Sequence, residues 1–151
     1  MLTAPKRTFE DERSAVFCHS PHAVFAALER IGGENGWFSL ALPWAIRGRV
    51  DELLGGPGIR RPRRHPRTLR EGDAVGFFVV SEIERPERLV LKVAARLPGK
   101  ATLAWEIHGH TLTQQARFHS TSVAGNLYWY ALLPIHLFIL SSMLKGIIRS
   151  A

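Results

Sequence analysis

The sequence contains a single cysteine, Cys18, and no apolar stretch near its start. One cysteine excludes an intramolecular disulfide and any metal site built from several thiolates. The opening residues, MLTAPKRTFEDERS, lack the apolar core of a signal peptide. The sequence therefore predicts a cytoplasmic protein.

Acidic residues are also scarce, with 13 Asp and Glu against 20 Lys and Arg, which gives a formal net charge of +7. The excess is concentrated in one segment that contains six arginines: Arg60, Arg61, Arg63, Arg64, Arg67 and Arg70. Such a patch favours an anionic partner. Pro62 and Pro66 indicate an extended loop, and without interleaved aromatic residues we do not expect a nucleic-acid partner. Two interpretations stay open: a solvated, salt-bridged loop, or an anionic ligand or membrane surface that contacts Arg60, Arg61, Arg63 and Arg64.

Charge is missing altogether from residues 121–144, TSVAGNLYWYALLPIHLFILSSML. The run is long enough to cross a bilayer, which takes about 20 apolar residues. Asn126, Pro134 and His136 make it a poor lipid-facing segment, so a long helix packed against protein is the better interpretation. A membrane-anchored protein, or one bound peripherally at a membrane, is the weaker alternative. A length of 151 residues with 46% hydrophobic content predicts one domain over residues 1–151, with residues 1–12 flexible.

Local signals predict the order of the elements. A short strand over residues 15–19 is followed by Ser20 and Pro21, which suit the N-cap and first position of a helix that continues to Ile31. A second helix is predicted over residues 40–54, ending at a glycine-rich stretch. Strands are predicted over residues 74–83, 88–95, 101–108 and 111–118, separated by turn residues.

The last two strands carry enough information to predict their register. If Gly109-His110 forms a two-residue turn, three predicted pairs share one face: Trp105 with Gln114, Ile107 with Leu112, and Leu103 with Ala116. That face is apolar except for Gln114, and the other face is polar, as expected of an antiparallel sheet with one covered side. The uncharged helix is long enough to cover it.

Six segments carry a resemblance to a known family: IGGENGWF (31–38), LLGGPGIRRPRRHP (53–66), LREGDAVGFFVV (69–80), LPGKATLAWEI (97–107), LTQQARF (112–118) and LYWYALLPIHLFI (127–139). Together they are similar to an uncharacterised bacterial family, named only as a domain of unknown function, which often follows an atypical NAD(P)-binding domain of the short-chain-dehydrogenase type. The element order resembles the helix-grip fold of the Bet v 1 and START-like (SRPBCC) superfamily.

The resemblance implies an α+β helix-grip fold, with a curved antiparallel sheet wrapped around a long C-terminal helix and two short helices after the first strand. It carries no established reaction. This sequence contains no nucleotide-binding half. If the family works with such a domain, a separate NAD(P)-binding protein would supply it, and the chain can equally act alone.

A sheet curved around a helix predicts a cavity for a small hydrophobic or amphipathic molecule, with a lipid as one candidate. Its predicted walls and mouth are Trp37, Trp105, Gln114, Tyr128 and His136, with Glu34 and Asn35 at the opening. Simpler interpretations stay open beside this one. Glu34 or Asn35 can cap a helix, His136 can bond a carbonyl freed by Pro134, and Tyr128, Trp129 and Tyr130 cannot all face one core because they point in three directions of a helix.

An enzyme of the polyketide cyclase or dehydratase kind is the alternative, with His136 or Glu34 as acid or base. There is no glycine-flanked serine elbow, and Cys18 has no evident base. The histidines lack a carboxylate at metal-ligand spacing, so we expect no metal and no cofactor. The sequence thus predicts a binding protein, with an accessory role beside an oxidoreductase as one form of it.

Overall fold

The computed structural model describes residues 7–31, 53, 64–65, 67–75, 78–93 and 99–151. These residues form a six-stranded antiparallel sheet in the order β1-β6-β5-β4-β3-β2, a short helix α1 and a long C-terminal helix. The helices are α1 (Pro21–Glu29) and the C-terminal helix (Val123–Arg149). The strands are β1 (Arg7–Val16), β2 (Ala74–Val75), β3 (Phe78–Glu84), β4 (Arg88–Val93), β5 (Gly99–His108) and β6 (Thr111–Ser120).

Helix α1 begins where the sequence predicted. The Ser20 hydroxyl accepts a hydrogen bond of 3.1 Å from the backbone N–H of Ala23, and Pro21 occupies the first turn. A proline costs nothing there because the first N–H groups of a helix have no partner within it. Val24, Phe25 and Leu28 are buried in the core, so the helix packs through one face.

The predicted register of β5 and β6 is confirmed. Trp105 lies opposite Gln114, and the pairing continues around a turn in which Gly109 has a positive φ of +59°. A glycine adopts this conformation without steric cost. The apolar residues assigned to the covered face are all buried: Leu103, Trp105, Ile107, Leu112 and Ala116.

The first strand is longer and earlier than predicted. The sequence predicted a strand over residues 15–19, but β1 begins at Arg7 and pairs along its whole length with β6, from Arg7 opposite Ser120 to Val16 opposite Thr111. The prediction was wrong because β1 is an edge strand rich in charge. Edge strands commonly carry charged side chains, which discourage pairing with other chains, and these obscure the apolar alternation.

The strand predicted over residues 74–83 is divided into two. Ala74 pairs with Val79 and Val75 with Phe78, so the chain reverses direction between β2 and β3. The run AVGFFVV (74–80) gives no clear sign of such a reversal, because β2 and the first three residues of β3 are all apolar. The strand β3 then pairs with β4, with a register shift between Val80 and Glu82.

The C-terminal helix covers the inner face of the sheet, as predicted. It begins after Ser122, whose hydroxyl accepts a hydrogen bond of 3.1 Å from the backbone N–H of Gly125. Its buried side chains join one core with those of α1 and the sheet, and the helix residues in that core include Ile139, Leu140, Met143, Leu144 and Ile147. At the far end the Arg30 guanidinium donates a 2.6 Å hydrogen bond to the carbonyl of Ser150. The helix predicted over residues 40–54 lies outside the described residues except for Leu53, which is helical.

Candidate ligand-binding site

A polar chain crosses the core beneath the C-terminal helix. The indole Nε1–H of Trp105 donates to the Oε1 of Gln114 at 2.9 Å, and the Nε2 of Gln114 donates to the carbonyl oxygen of Leu140 at 2.9 Å. Trp105 is completely buried and Gln114 is 1% exposed. Gln114, the single polar residue predicted on the apolar face, therefore has protein partners at both ends of its amide. It fixes the helix to the sheet.

Two further polar side chains share this face on the edge strand. Arg13 lies opposite Gln114 and Asp11 lies opposite Ala116, and directly opposed residues of an antiparallel pair point to the same face. The Arg13 guanidinium donates to both Asp11 carboxylate oxygens, from Nε at 2.8 Å and from Nη2 at 3.1 Å. Both side chains are partly exposed. A polar row thus runs from the open edge at Arg13, through Gln114, to Trp105.

Asp11 and Arg13 were not predicted as inward-facing residues because the first strand was predicted to begin only at residue 15. A signal for them exists: Phe9, Ala15 and Phe17 have the same parity, and this alternation predicts that the two charged residues between them also face inward.

Aromatic rings of the sheet and of the first turns of the C-terminal helix pack against one another. The Trp129 ring stacks on Phe9 at a centroid distance of 5.4 Å and on Phe118 at 5.8 Å. Tyr130, the next residue, makes a T-shaped contact with the Phe9 ring at a centroid distance of 5.4 Å and is 52% exposed. Of the two described aromatic side chains, Trp129 is therefore buried and Tyr130 is exposed, which confirms that neighbouring aromatic residues of the helix do not all face the core.

The side chains of five of the seven predicted ligand-binding residues lie outside the part of the chain that the structure describes. Glu34, Asn35 and Trp37 lie outside the described residues. Tyr128 and His136 lie within the C-terminal helix, but their side chains are outside the described part. Of the seven predicted ligand-binding residues, Trp105 and Gln114 are the two that the structure brings together.

Of the four arginines predicted to bind an anion, the structure describes Arg64. The Arg64 Nε lies 3.0 Å and 3.1 Å from the two Asp73 carboxylate oxygens, and Asp73 also accepts from the backbone N–H of Arg70 at 2.9 Å. Burial raises the pKa of Asp73, but these hydrogen bonds and the nearby positive charges outweigh it and hold the pKa below its ordinary value. Arg64 is therefore in an ion pair within the chain. Arg60, Arg61 and Arg63 lie outside the described residues.

A buried carboxylate at the end of α1 was not predicted. Glu29 is 6% exposed, and its oxygens accept from Arg85 at 2.6 Å and 2.9 Å and from the backbone N–H of Leu69 at 3.1 Å. The hydrogen bonds to Glu29 raise the pKa of Arg85. Because Glu29 already has strong donors, its carboxylate ties α1 to the residues before β2 and to the turn between β3 and β4.

In the described residues, no group of three or more His, Cys, Asp or Glu side chains is arranged to hold a metal ion. Within the same part of the chain, no helix has the length and apolar character to cross a bilayer.

A sheet that packs its inner face on one long C-terminal helix, with α1 after the first strand, defines a protein of the helix-grip class. The chain belongs to the family described as "Protein of unknown function (DUF2867)", whose profile matches residues 3–143. This confirms the predicted membership of a domain family of unknown function. The sequence matches no curated protein.

Solved structures share the fold at low sequence identity. A protein of unknown function from Staphylococcus aureus is similar with a TM-score of 0.53 and 12% identity, over 96% of each chain. Truncated norcoclaurine synthase from Thalictrum flavum gives 0.52 and 7%, over 99% of this chain and 95% of that one. The di-domain ARO/CYC protein StfQ of the steffimycin biosynthetic pathway gives 0.50 and 12%, over 95% of this chain and 50% of that protein. At these identities the likeness establishes the fold alone, and it confirms the predicted helix-grip architecture.

Proposed function

We propose that the protein binds a small hydrophobic or amphipathic molecule between the sheet and the C-terminal helix, with the polar end of the molecule at the edge strand β1. The observation that carries the proposal is the row of Arg13, Gln114 and Trp105 across three adjacent strands, on a face whose neighbouring side chains are apolar except for Asp11, the partner of Arg13. Apolar walls with a few placed polar groups are typical of sites for small molecules.

Arg13 is the group in this row best suited to a ligand. Gln114 and Trp105 are engaged with each other and with Leu140, whereas Arg13 stands at the open edge with a side chain that is 30% exposed. A guanidinium has five N–H donors, and the hydrogen bonds to Asp11 involve Nε and Nη2. The remaining donors can bind a carboxylate, phosphate or sulfonate. This makes an amphiphile with an anionic end the preferred ligand class.

The polar end of the proposed site lies at Arg13 on β1, which differs from the cavity mouth that the sequence predicted. Glu34 and Asn35 were assigned to that mouth as a carboxylate and an amide, and they stay a prediction. Arg13 is a cation, so the two sites favour ligands of different charge. A comparison of anionic and cationic amphiphiles therefore separates them.

Two measurements test the proposal. Native mass spectrometry of the purified protein should show a co-purified small molecule, and titration with 8-anilinonaphthalene-1-sulfonate should show saturable binding of one equivalent. Arg13→Gln should weaken that binding about tenfold, as expected for the loss of one charge-assisted hydrogen bond of ~1.5 kcal/mol.

The matched control is Arg117→Gln. Arg117 is also paired with a carboxylate, Glu10 of the adjacent strand β1, but it lies opposite Thr102 on the polar outer face. The Arg117→Gln variant should bind 8-anilinonaphthalene-1-sulfonate with the same affinity as the parent protein. Equal weakening in both variants, or no saturable binding by the parent, would refute the proposal.

Two further functional hypotheses come from the sequence alone. One is an accessory role beside a separate NAD(P)-binding protein, and the other is a cyclase- or dehydratase-type activity through Glu34 or His136. Glu29, the buried carboxylate that the structure describes, is held by Arg85 and Leu69 and gives no support to acid–base catalysis. A peripheral membrane contact, by contrast, is supported by a different part of the molecule.

A further inference from the structure

The outward side of the C-terminal helix is apolar over its first four turns. Its exposed large residues recur at helical spacing: Val123 at 58%, Leu127 at 65%, Tyr130 at 52%, Leu137 at 41% and Phe138 at 57% exposure. They form a stripe about 22 Å long, given a rise of 1.5 Å per residue. The opposite side holds Trp129, Leu140, Met143 and Ile147 in the core. A helix that is apolar on both sides is usually covered on both sides.

Charge along the same helix indicates what covers this stripe. The 27 residues of Val123–Arg149 include no Asp or Glu. Its two cations, Lys145 and Arg149, are both exposed and continue the outward side into the last two turns, because positions 138, 141, 145 and 149 follow one another at spacings of three and four.

A third cation stands at the other end of the stripe. Arg7 is exposed and lies opposite Ser120, two residues before the N-cap Ser122. It shares the parity of Phe9, which contacts Tyr130 of the helix. Of the acidic residues of β1, Glu10 and Glu12 have the opposite parity, and Asp11, which has the same parity, is paired with Arg13. The apolar stripe thus has exposed cations at both ends.

From this arrangement we propose that the outward face of the C-terminal helix docks on an anionic lipid bilayer. An interfacial helix buries its apolar side about 5–10 Å into the headgroup boundary while cations meet the anionic lipids. Tyrosine, with an apolar ring and a polar tip, suits that boundary. Aggregation or a second copy of the chain would cover the apolar residues equally well, but neither accounts for cations at both ends and an absence of acidic residues between them.

The docking surface does not depend on the proposed ligand site, because it lies on the opposite side of the helix from Gln114 and Trp105. It also differs from the arginine segment that the sequence singled out, of which Arg64 is paired with Asp73. Each of the three regions can be changed by itself.

Co-sedimentation with vesicles tests the proposal. The parent protein should bind vesicles of phosphatidylcholine mixed with phosphatidylglycerol, bind phosphatidylcholine alone far less, and lose binding as salt is raised, since exposed charges are screened by salt. The double variant Leu127→Gln with Phe138→Gln should reduce binding at least about tenfold. Both side chains are more than half exposed, so the fold should be retained.

Matched controls separate this face from exposed apolar area and positive charge in general. Val16→Gln removes an apolar side chain that is 76% exposed on β1 and should bind as the parent does. Lys145→Gln with Arg149→Gln should weaken binding to anionic vesicles, whereas Lys92→Gln with Lys100→Gln, an equal loss of exposed charge from the sheet, should have a much smaller effect.

Three results would overturn the proposal. The first is no binding by the parent to anionic vesicles at low salt. The second is parent-like binding by Leu127→Gln with Phe138→Gln while a variant with Arg60, Arg61, Arg63 and Arg64 changed to Gln no longer binds. The third is a parent dimer in sedimentation velocity that the helix variant converts to a monomer, which would assign the face to a second copy.

Discussion

The indole of Trp105 and the amide of Gln114 form a hydrogen bond of 2.9 Å between adjacent strands in the fully buried core. The amide then reaches the carbonyl of Leu140, so one side chain joins two strands and the helix that covers them. Buried polar groups are rarely left without a hydrogen-bond partner. The loss of either side chain would therefore leave a buried donor or acceptor of the other unpaired.

Gln114→Leu should lower the free energy of unfolding by about 1–3 kcal/mol, because it leaves the buried indole N–H without its acceptor. Trp105→Phe should cost a similar amount by leaving Gln114 Oε1 unpaired. The double variant should be less destabilised than the sum of the two. Urea denaturation of the four proteins gives the coupling energy. Additive effects would show that the two side chains do not share a hydrogen bond.

Glu29→Gln should destabilise the protein by about 1.5–3 kcal/mol, because it removes the charge from hydrogen bonds with Arg85 and the backbone of Leu69. Glu82→Gln is the matched control. Glu82 lies 3.4 Å from Arg88, and both side chains are about half exposed, so its loss should cost less than about 0.5 kcal/mol. Equal effects in denaturant unfolding would show that burial does not distinguish the two ion pairs.

Asp73→Asn should make stability less dependent on acid pH. The pKa of Asp73 is lowered in the folded protein, so the carboxylate contributes stability that is present above its unfolded pKa of about 3.9 and is lost as pH falls through the lower folded value. Thermal unfolding from pH 7 down to pH 2 should show a shallower decline for the variant than for the parent. Glu71→Gln, an exposed neighbour, should follow the parent curve, and a parallel decline for Asp73→Asn would contradict the ion pair with Arg64.

Gly99→Ala should destabilise the sheet by about 1–3 kcal/mol through overpacking. A Cβ at Gly99 would overlap the carbonyl oxygen of His119 and stand 2.9 Å from the Phe118 ring, which is itself stacked on Trp129. Lys100→Ala, at the exposed next position, should change the melting temperature little. A Gly99→Ala variant as stable as Lys100→Ala would show that β5 and β6 are not so closely packed at this end.

Features coded by neighbouring residues were predictable. The N-cap at Ser20 and the turn at Gly109 each depend on a few consecutive positions. Once that turn is fixed, the alternation of side chains fixes the register of β5 and β6. The absence of charge from residues 121–144 predicted the covering helix for a similar reason, since a long apolar run must be buried.

The other features were decided by contacts between distant parts of the chain. Gln114 was recognised as a polar interruption, but its acceptor lies 26 residues away on a helix backbone. Glu29 and Arg85 are 56 residues apart. Nothing local marks such pairs, because either residue alone resembles ordinary solvated charge.

The sequence by itself determined that a half-apolar antiparallel sheet is covered by an uncharged helix, because alternation and the distribution of charge are read along the chain. The tertiary structure decided which polar groups enter that core and which side of the helix stays exposed. Those outcomes depend on how the helix is rotated over the sheet. Because its first four turns carry apolar residues on both sides, this rotation is set by packing partners such as Phe9, Phe118 and Gln114 rather than by the pattern of the helix itself.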